Sequence, residues 1–459
     1  MSERIGFSGM CLAYFAIILD GSVLNVAVPA IRDGLGSSMA GAQWVLNGYT
    51  LTLAALLLTA GALGDRFGLR RTLLAGVAVF TLASAACALA PTTGVLVGAR
   101  VVQGVGAAAL LPATLALVPH LFAEADARAR ATVFWVATGA ISMAVGPLVG
   151  GVLIDAVGWR AIFVLNLPVG VVATLLVRAG VPETPRHTHP VDRAGLVTAA
   201  ATLALLTGGL IDAGSAGWAA PATLGLLGAA VVAGAAYVIT ARHAAHPMLP
   251  PSFFALRVRA AAVASAGLMG FLFYGALFVM SLYFQQMRGW TPGASGVALL
   301  PMTVGSTIGP LVLYRPLALR YGHRALLLGG FACCTAGIAT LAGAGTRAPY
   351  AVLATGLLLI GVSSTMVFSA LTSLLIGNVP TAQSGLASGV QNTLRQSGAL
   401  IAVAVLGSLL NTSSPASRLP AASAALVAVA VIAVTLAAGN LRTADAPLEP
   451  APAPAAGRS

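Results

Sequence analysis

The chain has 459 residues, of which 58% are hydrophobic and only 8% are charged; its mean hydropathy is +0.94. Soluble globular proteins carry about 25% charged residues, so this composition excludes a protein whose whole surface faces water. All 24 basic residues are arginine, against 12 acidic residues. A chain without lysine has no Walker A nucleotide loop and no Schiff base to retinal or pyridoxal phosphate.

Apolar runs of about 20 residues, the length that crosses a bilayer, recur along the whole chain. Dividing them at charge clusters and Gly/Pro turns predicts an all-α integral membrane protein with fourteen transmembrane helices. The first run is too long for a cleavable signal peptide. The predicted spans are 7–30, 42–63, 72–90, 94–118, 131–154, 161–180, 195–212, 219–240, 260–286, 293–314, 325–344, 350–376, 386–410 and 421–440.

The arginines indicate the orientation of these helices. With both termini in the cytoplasm, 17 arginines fall in cytoplasmic segments, 5 fall outside, and Arg100 and Arg395 lie within spans. This bias follows the positive-inside rule and predicts cytoplasmic termini. An odd number of helices would place Arg257, Arg259 and Arg320 outside, so the even number is supported independently of hydropathy.

An internal repeat indicates how the helices are grouped. The pattern Arg, aromatic, Gly, any residue, Arg occurs at 66–70 and again at 320–324, an offset of 254 residues. The repeat predicts a six plus two plus six arrangement, in which a substrate site lies between the two six-helix halves near the membrane midplane. The predicted parts are a first half at 1–185, two inserted helices at 186–245, a second half at 246–442 and a disordered cytoplasmic tail at 443–459.

Asp20 is the only one of the 12 acidic residues near the middle of a predicted span. A carboxylate is costly there unless it is protonated, paired or facing water. Asp20 is therefore a candidate proton carrier. The alternative is a permanent strut, hydrogen-bonded to neighbours such as Asn25; the carrier is favoured because a strut does not explain why this helix alone contains an acid.

Four segments combine glycine, proline and polar or charged residues at fixed spacings: 61–71, 100–107, 146–151 and 19–29. Their residues resemble signatures of the major facilitator superfamily. The segment 61–71 resembles its cytoplasmic motif between helices two and three, 100–107 its fourth-helix motif, and 146–151 its antiporter motif. The segment 19–29, together with Asn166 and Pro168, resembles the fourteen-helix drug/proton antiporters. Ser142 departs from the pattern, because a glycine usually stands there. The matched motif residues are Gly61, Gly64, Asp65, Arg66, Gly68, Arg70 and Arg71 for the cytoplasmic gate, and Gly146, Pro147, Gly150 and Gly151 for the antiporter motif.

This resemblance implies the major facilitator fold and a secondary exporter in which proton influx drives the export of amphipathic compounds. It assigns Arg100 to proton coupling beside Asp20. The alternative for Arg100 is a side chain that snorkels to the interface. The gate motif is either a charge latch or only the positive-inside signal, and the antiporter motif is either a seal between halves or ordinary small-residue packing.

Polar and aromatic residues within the spans are candidates for the substrate cavity, although Trp and Tyr also suit an interfacial belt. Arg395 either hydrogen-bonds substrate or ties the second half's helices together. The absence of Asp and Glu from the second half's spans argues against dications and favours neutral, zwitterionic or anionic compounds. The candidates are Asn25, Gln43, Asn47, Tyr49, Gln103, Tyr274, Asn392 and Arg395.

The sequence therefore predicts a proton-coupled exporter of drugs or antibiotics in a bacterial plasma membrane. A transporter of the same fold with a nutrient or metabolite as cargo is the main alternative, and a membrane enzyme or receptor is disfavoured because no catalytic constellation is evident. We expect a monomer that uses the proton gradient, with no cofactor, metal or nucleic acid. The cysteines at 11, 87, 333 and 334 lie in apolar runs and are expected to be core residues.

Overall fold

The computed structural model describes residues 2–184, 192–244, 247, 249, 251–343, 348–379, 384–412 and 418–440. Every regular element within these residues is helical, which confirms the predicted all-α class. A 3-10 turn at Pro251–Phe254 and π-helical turns at Tyr283–Met287 and Gly309–Tyr314 join some of the helices. The helices are α1 (Ser2–Leu35), α2 (Met39–Phe67), α3 (Leu69–Ala88), α4 (Thr93–Ala116), α5 (Val118–Leu121), α6 (Ala125–Val157), α7 (Arg160–Gly180), α8 (Arg193–Ala216), α9 (Pro221–His243), α10 (Arg257–Leu282), α11 (Pro292–Ala298), α12 (Leu300–Ile308), α13 (Arg315–Gly343), α14 (Tyr350–Gly377), α15 (Ser384–Thr412) and α16 (Arg418–Asn440).

Twelve helices in the described part of the chain are long and apolar enough to cross a membrane, which identifies a multi-span membrane protein. Two predicted spans are not among those twelve. The span 42–63 falls on α2, a continuous helix of 29 residues, and 293–314 falls on α11 and α12, which are separated at Leu299 and followed by a π-helical turn. The predicted tail at 443–459 and the predicted boundaries at 185/186, 245/246 and 442/443 lie outside the described residues.

The repeated Arg-aromatic-Gly pattern takes the same unusual backbone conformation at both of its positions. Gly68 joins α2 to α3 with φ +94°, and Gly322 produces a kink within α13 with φ +78°. Residues with a side chain rarely adopt positive φ, so glycine is needed at both turns. The two glycines therefore end one helical segment and start the next at equivalent points of the repeat.

Short turns make successive helices antiparallel and define two faces of the bundle. We call the face where α1 begins the proximal face and the face where α1 ends the distal face. Residues 36–38 join α1 to α2 at the distal face, where the Ser38 hydroxyl accepts a hydrogen bond from the Gly41 amide at 3.1 Å and caps α2. Gly68 then lies at the proximal face, and the α6 to α7 turn at Gly158 lies at the distal face.

Contacts between the groups α1–α7 and α10–α16 lie toward the distal face. The Ser281 hydroxyl donates to the Asn25 carbonyl at 2.8 Å, and the Gln285 amide donates to the Val26 carbonyl at 3.0 Å. The Asp155 carboxylate accepts from the Gly293 amide at 2.9 Å. A large buried cluster joins the distal part of α1 to α10, whereas the cluster around the proximal part of α1 contains only residues of α1–α7. The distal face is therefore the closed end of this conformation.

Helices α8 and α9 pack against each other, and α8 also contacts α2 and α15. The Asn411 amide donates to the Gly214 carbonyl at 2.6 Å, which ties α15 to the distal end of α8. Trp44 on α2 lies 3.6 Å from the position that a Cβ atom would take at Gly208 of α8. Helix α8 thus touches one helix from each group.

Candidate functional site

The Asp20 carboxylate is 1% exposed and accepts hydrogen bonds from three side chains. Arg100 Nη1 lies 2.5 Å from Oδ2, whereas Gln103 Nε2 and Asn166 Nδ2 lie 3.0 Å and 2.8 Å from Oδ1. A buried charge requires this kind of pairing and hydrogen bonding. The Asn25 amide, in contrast, donates to the Gly21 and Ser22 carbonyls, so the strut partner expected from sequence is replaced by Arg100, Gln103 and Asn166.

Ser84 on α3 completes this cluster. Its hydroxyl oxygen accepts from Gln103 Nε2 at 2.8 Å and from Asn166 Nδ2 at 3.3 Å, and it donates to the Phe80 carbonyl at 2.8 Å. Helices α1, α3, α4 and α7 therefore meet at one carboxylate. Sequence reasoning missed Ser84, since a serine in a membrane helix is unremarkable, whereas Asn166 carried a signal in the family pattern.

Arg100 is 1% exposed, which excludes the snorkelling interpretation for this conformation. Besides Asp20, its guanidinium donates to Gln103 Oε1 at 2.6 Å and to the Val45 carbonyl at 3.2 Å. The guanidinium carbon lies 4.2 Å from the centre of the Tyr49 ring, a cation–π contact. Arg100 is thus fixed by neutral groups of α2 and α4 as well as by the carboxylate.

The carboxylate and the guanidinium of this pair differ in whether they can exchange protons. Asp20 can gain or lose a proton, whereas arginine stays protonated in proteins. Protonation of Asp20 would remove the charge that neutralises Arg100, while Gln103, Val45 and Tyr49 would continue to hold the guanidinium. Arg100 therefore has hydrogen-bond partners that do not depend on the charge of Asp20.

A cavity adjoins this cluster between the two groups of helices. Its empty volume is about 730 Å³, and this volume includes space that is open to solvent. Five of the candidate residues from the sequence lie on its wall, as does Arg100, and none of the described lining residues is acidic. Those five are Asn25, Asn47, Tyr49, Tyr274 and Arg395.

Gln43, Gln103 and Asn392 lie away from the cavity wall. The Gln43 amide would lie 2.1 Å from a Cβ atom at Gly407, which places it between α2 and α15 near the distal face. Gln103 belongs to the Asp20 cluster, and Asn392 accepts from Arg395 Nη2 at 3.3 Å while donating to the Ser388 carbonyl. All three are polar helix residues, but each is turned to a helix neighbour instead of the cavity.

The cytoplasmic gate motif contacts the last turn of α7 and the residues that follow this helix. Arg71 Nε lies 3.1 Å from Glu183 Oε2, and Arg70 Nη2 donates to the Arg178 carbonyl at 3.1 Å. The Leu69 amide donates to the Thr184 hydroxyl at 2.8 Å. The side chain of Asp65 lies outside the described part of the structure. The partners of residues 69–71 are Arg178, Glu183 and Thr184. None of these three was a candidate site residue from the sequence.

The antiporter motif packs α6 against α1 and α11 at the same time. A Cβ atom at Gly150 would lie 2.5 Å from Val23 on α1, and one at Gly151 would lie 2.4 Å from the Pro292 carbonyl on α11. Gly296 of α11 approaches the Pro147 carbonyl equally closely. Ser142, at the variant position, donates to the Phe15 carbonyl at 2.6 Å. The motif therefore forms close packing between the two groups of helices.

A model of the Major Facilitator Superfamily matches residues 10–403. The chain belongs to this superfamily. Within the superfamily it is similar to the methylenomycin A resistance protein of Streptomyces coelicolor, with 32% identity over 89% of this chain and 86% of that protein. It is also similar to multidrug resistance protein Stp of Mycobacterium tuberculosis, with 35% identity over 87% of this chain and 74% of that protein.

A third relative is the tetracenomycin C resistance and export protein of Streptomyces glaucescens, with 34% identity over 86% of this chain and 73% of that protein. Among solved structures, the superfamily fold of this chain resembles that of a D-xylose-proton symporter, with a TM-score of 0.71 and 14% identity over 97% of this chain and 99% of that one. Because the sequence identity is only 14%, this similarity shows the fold alone.

The described residues contain no group of three or more His, Cys, Asp or Glu side chains that could hold a metal ion.

Proposed function

We propose that this chain is a proton-coupled exporter of amphipathic small molecules such as antibiotics, working by alternating access. The observation that carries the proposal is the buried Asp20–Arg100 pair beside a cavity whose wall is formed by both groups of helices. The names of the relatives, which describe resistance and export, favour export of antibiotics over uptake of a nutrient.

The proposed topology has fourteen membrane helices in a six plus two plus six arrangement, with α8 and α9 as the inserted pair. Helix α2 and the run α11–α12 supply the two spans beyond the twelve. Both termini are cytoplasmic, so the proximal face is the cytoplasmic face in a bacterial plasma membrane. The closed distal face then makes this conformation inward-facing.

The proposed cycle couples the charge of Asp20 to the distal contacts. Substrate enters from the cytoplasm and Asp20 releases its proton there, which restores the ion pair with Arg100 seen in this conformation. In the outward-facing state, protonation of Asp20 from outside breaks the pair and accompanies the release of substrate. The proton gradient is the proposed sole source of energy, without cofactor or catalytic step, and a monomer suffices because the cavity is enclosed by one chain.

A susceptibility screen in a host that expresses the chain tests this function. Wild type is compared with Asp20→Asn across structurally diverse antibiotics. Asp33→Asn serves as the matched control because its side chain is 72% exposed and its ion pair among the described residues is with its half-buried neighbour Arg32. We expect wild type and Asp33→Asn to raise resistance to some of the compounds, whereas Asp20→Asn, present in the membrane at the same level, does not. Equal resistance from Asp20→Asn would contradict a role for Asp20 in coupling.

A further inference from the structure

The charge on the cavity wall is unbalanced. Arg100 and Arg395 both line the cavity, but the described lining residues include no acid, and Asp20 is bonded to Arg100. Arg395 belongs to the part of the chain after Asp212, in which the sequence contains no Asp or Glu before Asp445. None of the ion pairs among the described residues includes Arg395.

Arg395 is held in place by neutral groups. Its Nη1 donates to the Tyr274 hydroxyl at 2.9 Å and its Nη2 donates to Asn392 Oδ1. The guanidinium carbon lies 5.4 Å from the centre of the Phe368 ring. Its backbone is fixed as well, because Gly270 on α10 approaches the Arg395 carbonyl so closely that a Cβ atom would lie 2.1 Å away. These contacts orient the guanidinium but do not neutralise it.

Unused hydrogen-bonding capacity lies in both groups of helices that line the cavity. A guanidinium has five N–H donors, and Arg395 Nε on α15 is buried with no hydrogen-bond partner among the described residues. On α2, which packs against α15, the Asn47 side chain is 1% exposed, and neither its amide nitrogen nor its carbonyl oxygen has such a partner in the described part of the chain. Buried polar groups are normally hydrogen-bonded, so both positions are suited to contact a ligand.

We propose that the cavity binds monoanionic amphiphiles, with the anionic group of the substrate on Arg395 and a neutral polar group of the same molecule on Asn47. This inference rests on the proposed export function and specifies its substrate class. A carboxylate or phenolate would accept the free donors of Arg395, and the Tyr274 hydroxyl, which accepts from Arg395, retains its own hydrogen for the same anion. Charge-assisted hydrogen bonds of this kind are stronger than neutral ones, so the anionic form is preferred over an uncharged analogue.

A binding measurement on the purified full-length protein tests this specificity, because binding requires neither a proton gradient nor transport. The probes are fusidate, an amphipathic carboxylate, its uncharged methyl ester, and ethidium as a cation. We expect wild type to bind fusidate roughly ten- to a hundredfold more tightly than the ester, and ethidium more weakly than fusidate. In Arg395→Gln the ratio of the fusidate and ester affinities should fall to about one, and in Arg395→Lys it should be intermediate, because lysine keeps the charge but not the planar donor set.

Arg288→Gln is the matched control. Arg288 belongs to the same group of helices, donates to the Tyr283 hydroxyl at 3.0 Å and lies over the Trp290 ring, but is not on the cavity wall. This variant should keep the wild-type ratio of the fusidate and ester affinities.

The proposal would be overturned if wild type bound the ester or ethidium as tightly as fusidate or more tightly. An unchanged ratio in Arg395→Gln would overturn it as well. A purely structural role for Arg395 would lower stability in that variant and leave the ratio unchanged. Failure of the export proposal would instead appear in the Asp20→Asn screen, so the two proposals fail separately.

Discussion

Arg100 is held by the geometry of its guanidinium as well as by its charge. One nitrogen bonds Asp20 and Gln103, another bonds the Val45 carbonyl, and the flat face lies on Tyr49. A lysine ammonium is a point charge on a flexible stem and cannot make these contacts together. The arrangement therefore requires arginine specifically.

Arg100→Lys should lose proton-coupled export to nearly the level of Asp20→Asn, although the positive charge is retained. Resistance of expressing cells, normalised to the amount of protein in the membrane, measures the effect. Arg32→Lys is the control, because Arg32 lies at the distal surface and pairs with exposed Asp33. Wild-type export by Arg100→Lys would mean that charge alone is sufficient and would contradict the geometric role.

The sequence identified the charged members of the site better than its neutral members. Asp20 and Arg100 are conspicuous because ionised residues are costly within apolar runs. Ser84 is not, and its role depends on the packing of α3 against α4 and α7. Gln43 and Asn47 lie one helical turn apart on α2, so sequence periodicity could not separate the residue that meets Gly407 from the one that reaches the cavity.

At the scale of helices, two of the contacts that hold the turn between α2 and α3 differ in strength. The Arg71–Glu183 ion pair is exposed, with side-chain exposures of 58% and 34%, and such pairs contribute about 0–1 kcal/mol. Thr184 is 5% exposed, and its hydroxyl satisfies the buried Leu69 amide. An unsatisfied buried donor costs about 1–3 kcal/mol.

Thr184→Val should therefore destabilise the protein more than Glu183→Gln does. The expected loss is about 1–3 kcal/mol for Thr184→Val and at most about 1 kcal/mol for Glu183→Gln. Unfolding of the purified protein measures both variants, and only the effect of Glu183→Gln should diminish at high salt. The reverse order would show that the ion pair, and not the buried hydrogen bond, holds this turn.

Helix α6 packs so closely on α11 that a side chain at the contact would not fit. A methyl group at Gly296 would lie 2.1 Å from the Pro147 carbonyl, whereas Gly228 on α9 has nothing within 4 Å of its added Cβ. Overpacking costs about 1–3 kcal/mol, which would shift the balance away from the distally closed state by roughly 5- to 150-fold.

Gly296→Ala should therefore reduce export, and it should lower thiol labelling of a cysteine placed at Thr50, a partly exposed residue of the cavity wall, when the reagent is added from the proximal side to a chain whose four native cysteines are replaced. Gly228→Ala is the matched control and should behave as wild type. Both measurements use the full chain in membrane vesicles. Unchanged labelling and export in Gly296→Ala would show that the α6–α11 packing does not govern the opening of the cavity.

For the whole molecule, hydropathy predicted most of the helices, whereas the orientation predicted from the arginines stays a prediction. Twelve of the predicted spans fall on helices that are long and apolar enough to cross a membrane, because each of these apolar runs is long and is bounded by charges or glycines. The repeated pattern at 66–70 and 320–324 carries a positive-φ glycine in each copy. The broken run α11–α12 was predicted as one span, since hydropathy does not register the interruption at Leu299. The closure of the distal face depends on contacts between helices far apart in sequence, such as Ser281 with Asn25, and sequence pattern does not encode these.

We propose that the exchange of substrate for protons moving in the opposite direction depends on one buried carboxylate, that of Asp20. The most direct test uses proteoliposomes loaded with a compound from the resistance screen whose own groups do not titrate near neutral pH, together with a trapped pH indicator. When dilution drives the substrate out, wild type should acidify the lumen, whereas Asp20→Asn should leave the lumen pH unchanged. Alkalinisation of the lumen in wild type, or wild-type acidification in Asp20→Asn, would contradict the account.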